Sequence, residues 1–570
     1  MIRAAIFLAL LGCTDKSTSE PIEDSVPPVV TVETGTVTDT GDTDTGAIDT
    51  GETDSLSAVA LYPDDLVVHP GATFSLRALG TWTDGSVAAL SPDFASSDEA
   101  VATVDADGLV TAVGPGSAEL TATADSQSGS VSVTVSDAGL MQVSVISATN
   151  GAALASVKVK VGAGALYQTG KDGTVSIPVS SAGPLEVTAY GGDVMPATIW
   201  GTVSRDVVLP VHTKDEFWAD NARIEGDVDF SGVDGGGVGD ISLGLVVPSF
   251  RYGPLMVEPD DLVAEDRTLT IFGQDVALPA NLALDNIAPT YVAGSPAGSG
   301  AVWALAGAVP IGDVTDTLSA EGNSTENALA LLEDNIDALA WTWRSAGGLS
   351  SGETSTVDLQ PSISFTGSVS VETGPLPGGF AGTEKPLVLV GESLPGAGVV
   401  VTGIALGAES VAVPTVPEGS VSGSDGAVAM AMAQVSGLGS GGAISSAWGP
   451  VVDGAAVLPL FQNMPSVSSF DAESHAFEMW TDPRSTYVRL LLQSRDGTAR
   501  LVYLDGGQAA GVLADPGFPM GYAVVIWRIL SLETTTDTFE GMVRRGALRS
   551  QVLAPQSWTS SQANVTISVQ

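Results

Sequence analysis

Short runs in which apolar and polar residues alternate constrain this chain more than any other feature. Thr73-Phe74-Ser75-Leu76-Arg77-Ala78-Leu79 and Ser130-Val131-Ser132-Val133-Thr134-Val135 send every second side chain to one face. A period of two is that of a half-buried strand. Between the runs stand Asp107-Gly108, Gly114-Pro115-Gly116, Asn150-Gly151 and Lys171-Asp172-Gly173. Such residues supply the unusual or fixed backbone angles of tight turns. Many short strands with closely spaced turns predict two-sheet sandwiches. Cys13 is the only cysteine in 570 residues, so no disulfide within the chain can staple these sheets. Packing alone has to hold them.

Charge narrows the partners. The chain carries 67 Asp and Glu against 21 Lys and Arg, a formal net charge of −46. A surface of that sign repels phosphate backbones, so no nucleic-acid partner is expected. It also keeps an exported protein soluble. No run of about 18 apolar residues exists to cross a bilayer as a helix.

The first residues read as an address. Arg3 precedes an apolar run, Ala4 to Leu11, in the plan of an export signal. Leu10-Leu11-Gly12-Cys13 resembles the lipobox of bacterial lipoproteins. That resemblance implies cleavage before Cys13 and a lipid on its thiol, with the membrane as partner through that anchor. Thr14 stands where an Asp would retain an enterobacterial lipoprotein in the inner membrane. By that analogy the protein is expected at the outer membrane, surface-exposed or periplasm-facing. Residues 1–13 are thus assigned as signal peptide and lipobox. Residues 14–54 hold 11 acidic residues, one Lys and no aromatic residue, in Thr-Asp-Thr-Gly repeats. A segment of that composition cannot bury enough to fold and is expected to be a disordered acidic linker.

Two modules follow. In residues 55–136, Val101-Ala102-Thr103-Val104-Asp105-Ala106-Asp107-Gly108-Leu109-Val110-Thr111-Ala112-Val113 and Gly114-Pro115-Gly116-Ser117-Ala118 resemble the bacterial Ig-like domain of group 2. Ser96-Ser97-Asp98 belongs to the same likeness, with Phe94 where the family usually has Trp. Residues 140–211 order their strands around Asn150-Gly151 and Lys171-Asp172-Gly173 in a way similar to the carboxypeptidase regulatory-like, transthyretin-like sandwich. Both likenesses imply spacer or structural modules without catalytic residues.

Residues 212–570 carry no family likeness. Apolar runs such as Leu387-Val388-Leu389-Val390 and Tyr487-Val488-Arg489-Leu490-Leu491-Leu492 have strand length. Breaks near Pro377 and Pro465 suggest regions 212–375, 376–464 and 465–570, the last a loosely fibronectin-like sandwich. One amphipathic helix is expected at 324–344, where Leu329, Leu332, Ile336, Leu339 and Trp343 step by three and four. The fold class is therefore mainly β: tandem Ig-like sandwich modules, then a larger β region with one prominent helix.

Candidate chemistry is sparse. His69, His212 and His475 form no metal-binding motif. Gly348-Leu349-Ser350-Ser351-Gly352 fits the pattern of a nucleophile elbow, which needs a strand before it and a helix after it. Gly437 to Gly442 contains Gly-x-Gly-x-x-Gly but lacks a surrounding βαβ unit. Asp227, Asp229, Ser231 and Asp234 form a candidate calcium loop, although Val238 occupies the place of the usual bidentate Glu. No other cofactor is indicated. Trp448, Trp480 and Trp558 are candidates for stacking on sugars, against the ordinary reading of strand Trp as core. The expected role is non-catalytic binding, adhesion or structure at the cell surface, toward a surface polysaccharide or protein. The alternatives are a surface enzyme acting on polysaccharide, with its carboxylates in 212–570, and a component of an envelope or secretion assembly.

Overall fold

The described residues fold around one small core and one very long sheet. A computed structural model describes residues 55–568 apart from several internal stretches, the longest being 214–221, 250–266, 313–338, 377–385, 436–442, 514–523 and 549–557. Cys13, the lipobox and the acidic linker lie outside the described residues. Among the described residues no helix is long and apolar enough to cross a membrane.

The small core belongs to residues 56–135. Gln127–Val135 pairs antiparallel with Gly116–Ala124 and parallel with Leu66–Val68. It turns Val131, Val133 and Val135 inward and leaves Ser128, Ser130 and Ser132 exposed. Leu56–Tyr62 and Arg77–Trp82 pair in a facing sheet. Leu61, Val68, Phe74, Val110 and Leu120 fill the space between. The Asp107-Gly108 turn shows why its residues are what they are. Asp105 Oδ1 accepts from the amides of Asp107 and Leu109 at 3.0 and 2.8 Å. Gly108 sits at φ +80°, where a Cβ would also lie 3.1 Å from the Phe94 ring.

Strands from the other described residues meet in one long sheet. Strands of residues 140–211 belong to two facing sheets, with Met141, Val143 and Val145 packed with Val159, Val187 and Ile199. One of those sheets continues beyond the module. Val194–Thr202 pairs parallel with Ala499–Asp505, from Ala197 opposite Leu501 to Trp200 opposite Leu504. The sheet then runs through Tyr487–Ser494, Val524–Thr534, Trp558–Ser568 and Ala443–Pro450 and ends at Ala455–Val457, fifteen strands in all. It crosses the positions 211/212, 375/376 and 464/465 where the sequence suggested boundaries.

Two smaller sandwiches lean on it. Ala222–Asp227, Thr290–Ser295 and Thr354–Thr356 form a sheet that encloses Ile224, Tyr291 and Ala293 against Val246, Val302 and Ala304. The latter three lie on Asp240–Pro248 and Gly298–Pro310, whose other face meets the long sheet. There Trp341 donates its indole N–H to the Val401 carbonyl at 2.9 Å. Near the C-terminus, Phe477 and Met479 cover Val488, Leu490, Val502 and Leu504. Trp200, from the second module, meets Phe477 edge-on at 5.9 Å between ring centroids.

The end of the expected helix 324–344 is corrected. Ala340–Leu349 is a strand, with Trp343 opposite Trp303 in an antiparallel pair. The run Ala340-Trp341-Thr342 is buried on both faces, which a sandwiched strand satisfies and an amphipathic helix cannot. Leu329, Leu332 and Ile336 lie outside the described residues. A short helix occurs elsewhere: α1, Phe539–Arg545, is capped by Thr538, whose side chain accepts from the Gly541 amide. Arg544 and Arg545 occupy its last turn.

Candidate functional site

The long sheet forms the floor of a cleft of about 940 Å³. Gly367–Glu372, Leu387–Leu394, Gly398–Leu406 and Ser410–Thr415 supply Ser368, Glu392, Thr402 and Thr415 to it. Its rim is the segment Val416 to Asp425, rich in Gly and Ser, with Gly426 and Ala427 at the start of the strand Gly426–Val435, together with Asp453 and Gly454. Three contacts pin the rim. Val421 is buried in the main core, Trp343 donates its indole N–H to the Ser420 carbonyl at 2.9 Å, and the Asp425 amide donates to the Ser393 carbonyl at 3.0 Å.

Four carboxylates line the space: Glu392, Glu418, Asp425 and Asp453. The Ser424 hydroxyl donates to Glu392 at 2.6 Å. Glu418, Asp425 and Asp453 are exposed. No Lys, Arg, His or aromatic side chain is in the lining. Such a wall accepts hydrogen bonds from hydroxyl groups and attracts cations, and it holds no nucleophile–base pair of the Ser–His or Cys–His kind.

The candidate calcium loop is arranged differently from a cation cage. Asp229 caps the 3-10 turn Phe230–Gly232 by accepting from the Ser231 amide. That bond holds its carboxyl below the usual range. The Gln360 amide donates to Asp229 at 3.0 Å and to the Ser231 hydroxyl at 2.9 Å. Asp227 lies on the preceding strand and Asp234 beyond the turn. Among the described residues no three of His, Cys, Asp and Glu stand close enough together to hold a metal. Ser350, in the elbow-like motif, follows a strand but leads through a turn into the strand Thr354–Thr356. A helix after the serine, which an elbow requires, is absent there. Gly437 to Gly442 lies outside the described residues. Trp448 is buried and Trp480 exposed; the Trp558 side chain is outside the description.

Sequence reasoning missed the cleft. One signal was present: Glu392 interrupts the apolar run Leu387-Val388-Leu389-Val390-Gly391. The other carboxylates sit in Gly- and Ser-rich turns that read as connectors.

The strongly shifted groups lie elsewhere. Burial pushes the Glu540 carboxyl up to about 7. His212 is pushed down to about 4 by burial and then by the charge of Arg489. Arg500 is almost fully buried and donates to Glu186 at 2.6 Å and to Thr198 at 2.8 and 3.0 Å. This pair ties the second module to the C-terminal strands.

Comparisons with known proteins reach part of the chain. "Ice-binding protein 1" of Shewanella frigidimarina is 33% identical over 138 residues, which make up 24% of this chain and 15% of that protein. The chain therefore spans only about a seventh of that relative's length. Among solved structures, the Bacillus anthracis TIE protein aligns over 73% of this chain and 75% of its own, at 7% identity and a TM-score of 0.15. Domains 4–9 of the surface layer protein SbsC align over 91% and 83%, at 10% identity and a TM-score of 0.14. Alignments that loose carry no argument. One match is specific, and it agrees with the sandwich already described: residues 56–135 are a bacterial Ig-like domain of group 2.

Proposed function

We propose that this protein is an exported component of a bacterial cell envelope, anchored by a lipid on Cys13, with a non-catalytic binding role toward surface polysaccharide. The acidic segment 14–54 is the tether, the Ig-like module and the regulatory-like sandwich 140–211 are structural, and the cleft above the long sheet is the binding place. The observation that carries this reading is the lining of the cleft, with its exposed carboxylates and polar backbone on a floor of strands. Carboxylates and peptide groups recognise sugar hydroxyls by hydrogen bonding. The Ig-like domain and the lipobox-like start support placement at a surface.

Two measurements test the proposal. Labelling with a fatty-acid analogue is expected to tag the wild-type protein and to spare Cys13→Ser; equal labelling of both removes the anchor. Titration with neutral chito-oligosaccharides and with cationic chitosan oligosaccharides is expected to detect binding that Glu392→Gln and Asp425→Asn weaken together at least tenfold. Binding left intact by both substitutions places the ligand elsewhere.

A further inference from the structure

The joint between the Ig-like module and the body contains a buried acid. Helix α1 lies where three parts of the chain meet. Phe539, Met542 and Val543 enter the core of the body. Gly541 lies against Pro63 of the Ig-like module, where an added Cβ would come within 3.1 Å of the proline ring. Val203, which follows the strand Val194–Thr202, is buried in the core of the Ig-like module. The Arg205 amide donates to the Val67 carbonyl at 2.7 Å.

Glu540 sits at this meeting point and is 8% exposed. Its carboxyl accepts from the Thr202 hydroxyl at 2.6 Å, the Val203 amide at 2.9 Å and the Ser204 amide at 3.2 Å. Among the described residues no Lys or Arg pairs with it. The nearby arginines are engaged otherwise. Arg545 binds Asp537 and reaches Asp64 at 3.4 Å, Arg544 reaches the Asp64 carbonyl, and Arg77 donates to the Asp537 carbonyl at 3.2 Å. Arg205 points to the Ser181 carbonyl. The strand Ala499–Asp505 adds a like charge at Asp505. An ionised Glu540 is thus a buried charge without a counter-ion, and such a charge weakens whatever buries it.

We propose that Glu540 is a proton-operated latch: protonated, it lets helix α1 hold the segment Thr202 to Ser204, and with it Val203 in the core of the Ig-like module, tightly, and as it ionises the hold relaxes. Burial is the chief cause that raises its carboxyl to about 7, with Asp505 adding to it; the three donors pull the other way. Asp537, at the helix start, is raised by burial and held back by Arg545. The sign follows from linkage. A carboxyl raised in the closed joint stabilises closure fully below its ordinary value near 4.5 and loses that effect as pH rises through about 7.

Hydrogen exchange at the Val203 and Ser204 amides of the full chain reads the latch directly, because both donate to Glu540. After correction for intrinsic rates, opening is expected to increase tens of fold, on the order of 50-fold, between about pH 5 and pH 8. Glu540→Gln keeps an acceptor without a charge and is expected to flatten the dependence. Asp505→Asn keeps Glu540 and is expected to move the midpoint to lower pH, which provides a readout if the glutamine variant fails to fold. Protection independent of pH in the wild type, a glutamine variant with the wild-type slope, or an unmoved midpoint in Asp505→Asn overturns the latch.

Discussion

The Ig-like module and the body that carries it use the same strands and turns but assemble them over different distances. In the module, each strand finds its partner within residues 56–135, and the core takes only Val203 from beyond them among the described residues. In the body, decisive contacts span most of the chain: Arg500 and Thr198, joined by hydrogen bonds, are 302 residues apart. Closing a long loop costs little more free energy than closing a short one, but it slows folding. Local closure makes the module portable between proteins. Distant closure makes residues 140–211 and the C-terminal strands one object that cannot be cut between them without exposing a sheet edge.

That contrast can be broken, and the largest effect is expected at Arg500. Arg500→Leu removes the guanidinium that binds Glu186 and Thr198 in the interior, and breaking a buried ion pair typically costs about 3–5 kcal/mol. Urea unfolding followed by hydrogen exchange should show the body destabilised while the amides of the Ig-like core keep their protection. Equal loss in both regions would mean that they unfold as one.

The converse substitution acts inside the module. Leu120 is fully buried in the small core, so Leu120→Ala is expected to cost about 3 kcal/mol. The loss should appear in the amides of Gly116–Ala124 and Gln127–Val135 and not in those of Tyr487–Ser494. A matching loss in the body strands would refute the independence of the two cores.

A smaller change probes the seam. Thr538 caps helix α1 through the Gly541 amide at 3.3 Å, and Thr538→Ala is expected to cost about 1 kcal/mol. If the helix joins the two regions, Val203 and Ser204 exchange faster in this variant while Leu120 does not. Unchanged exchange at both amides would show that the joint holds without its helix cap.

The module was legible because its signals are local. Alternation in Ser130 to Val135, the Asp107-Gly108 turn and the family motif around Val101 to Ala118 all lie within a few residues of the structure they specify. The helix expected at 324–344 failed at its end for a related reason. Leu339 and Trp343 fit a helical step, but Leu339, Trp341 and Trp343 also fit a strand, and short apolar runs do not distinguish the two by period alone. Tertiary burial on both faces decided for the strand. The cleft was not legible because Glu392 is more than 20 residues from Glu418 and Asp425 and about 60 from Asp453.

By itself, then, the sequence determined the period, length and turns of the strands, the Ig-like domain at residues 56–135 and the need to fold without internal disulfides. Only the tertiary structure decided which strand edges meet, so that Ala197 pairs beside Leu501, carboxylates gather over the long sheet and Glu540 is buried at the joint. The physical reason lies in the backbone. A strand edge offers the same N–H and C=O groups whatever its side chains, so the choice among many possible partners falls to how side chains from distant segments pack together.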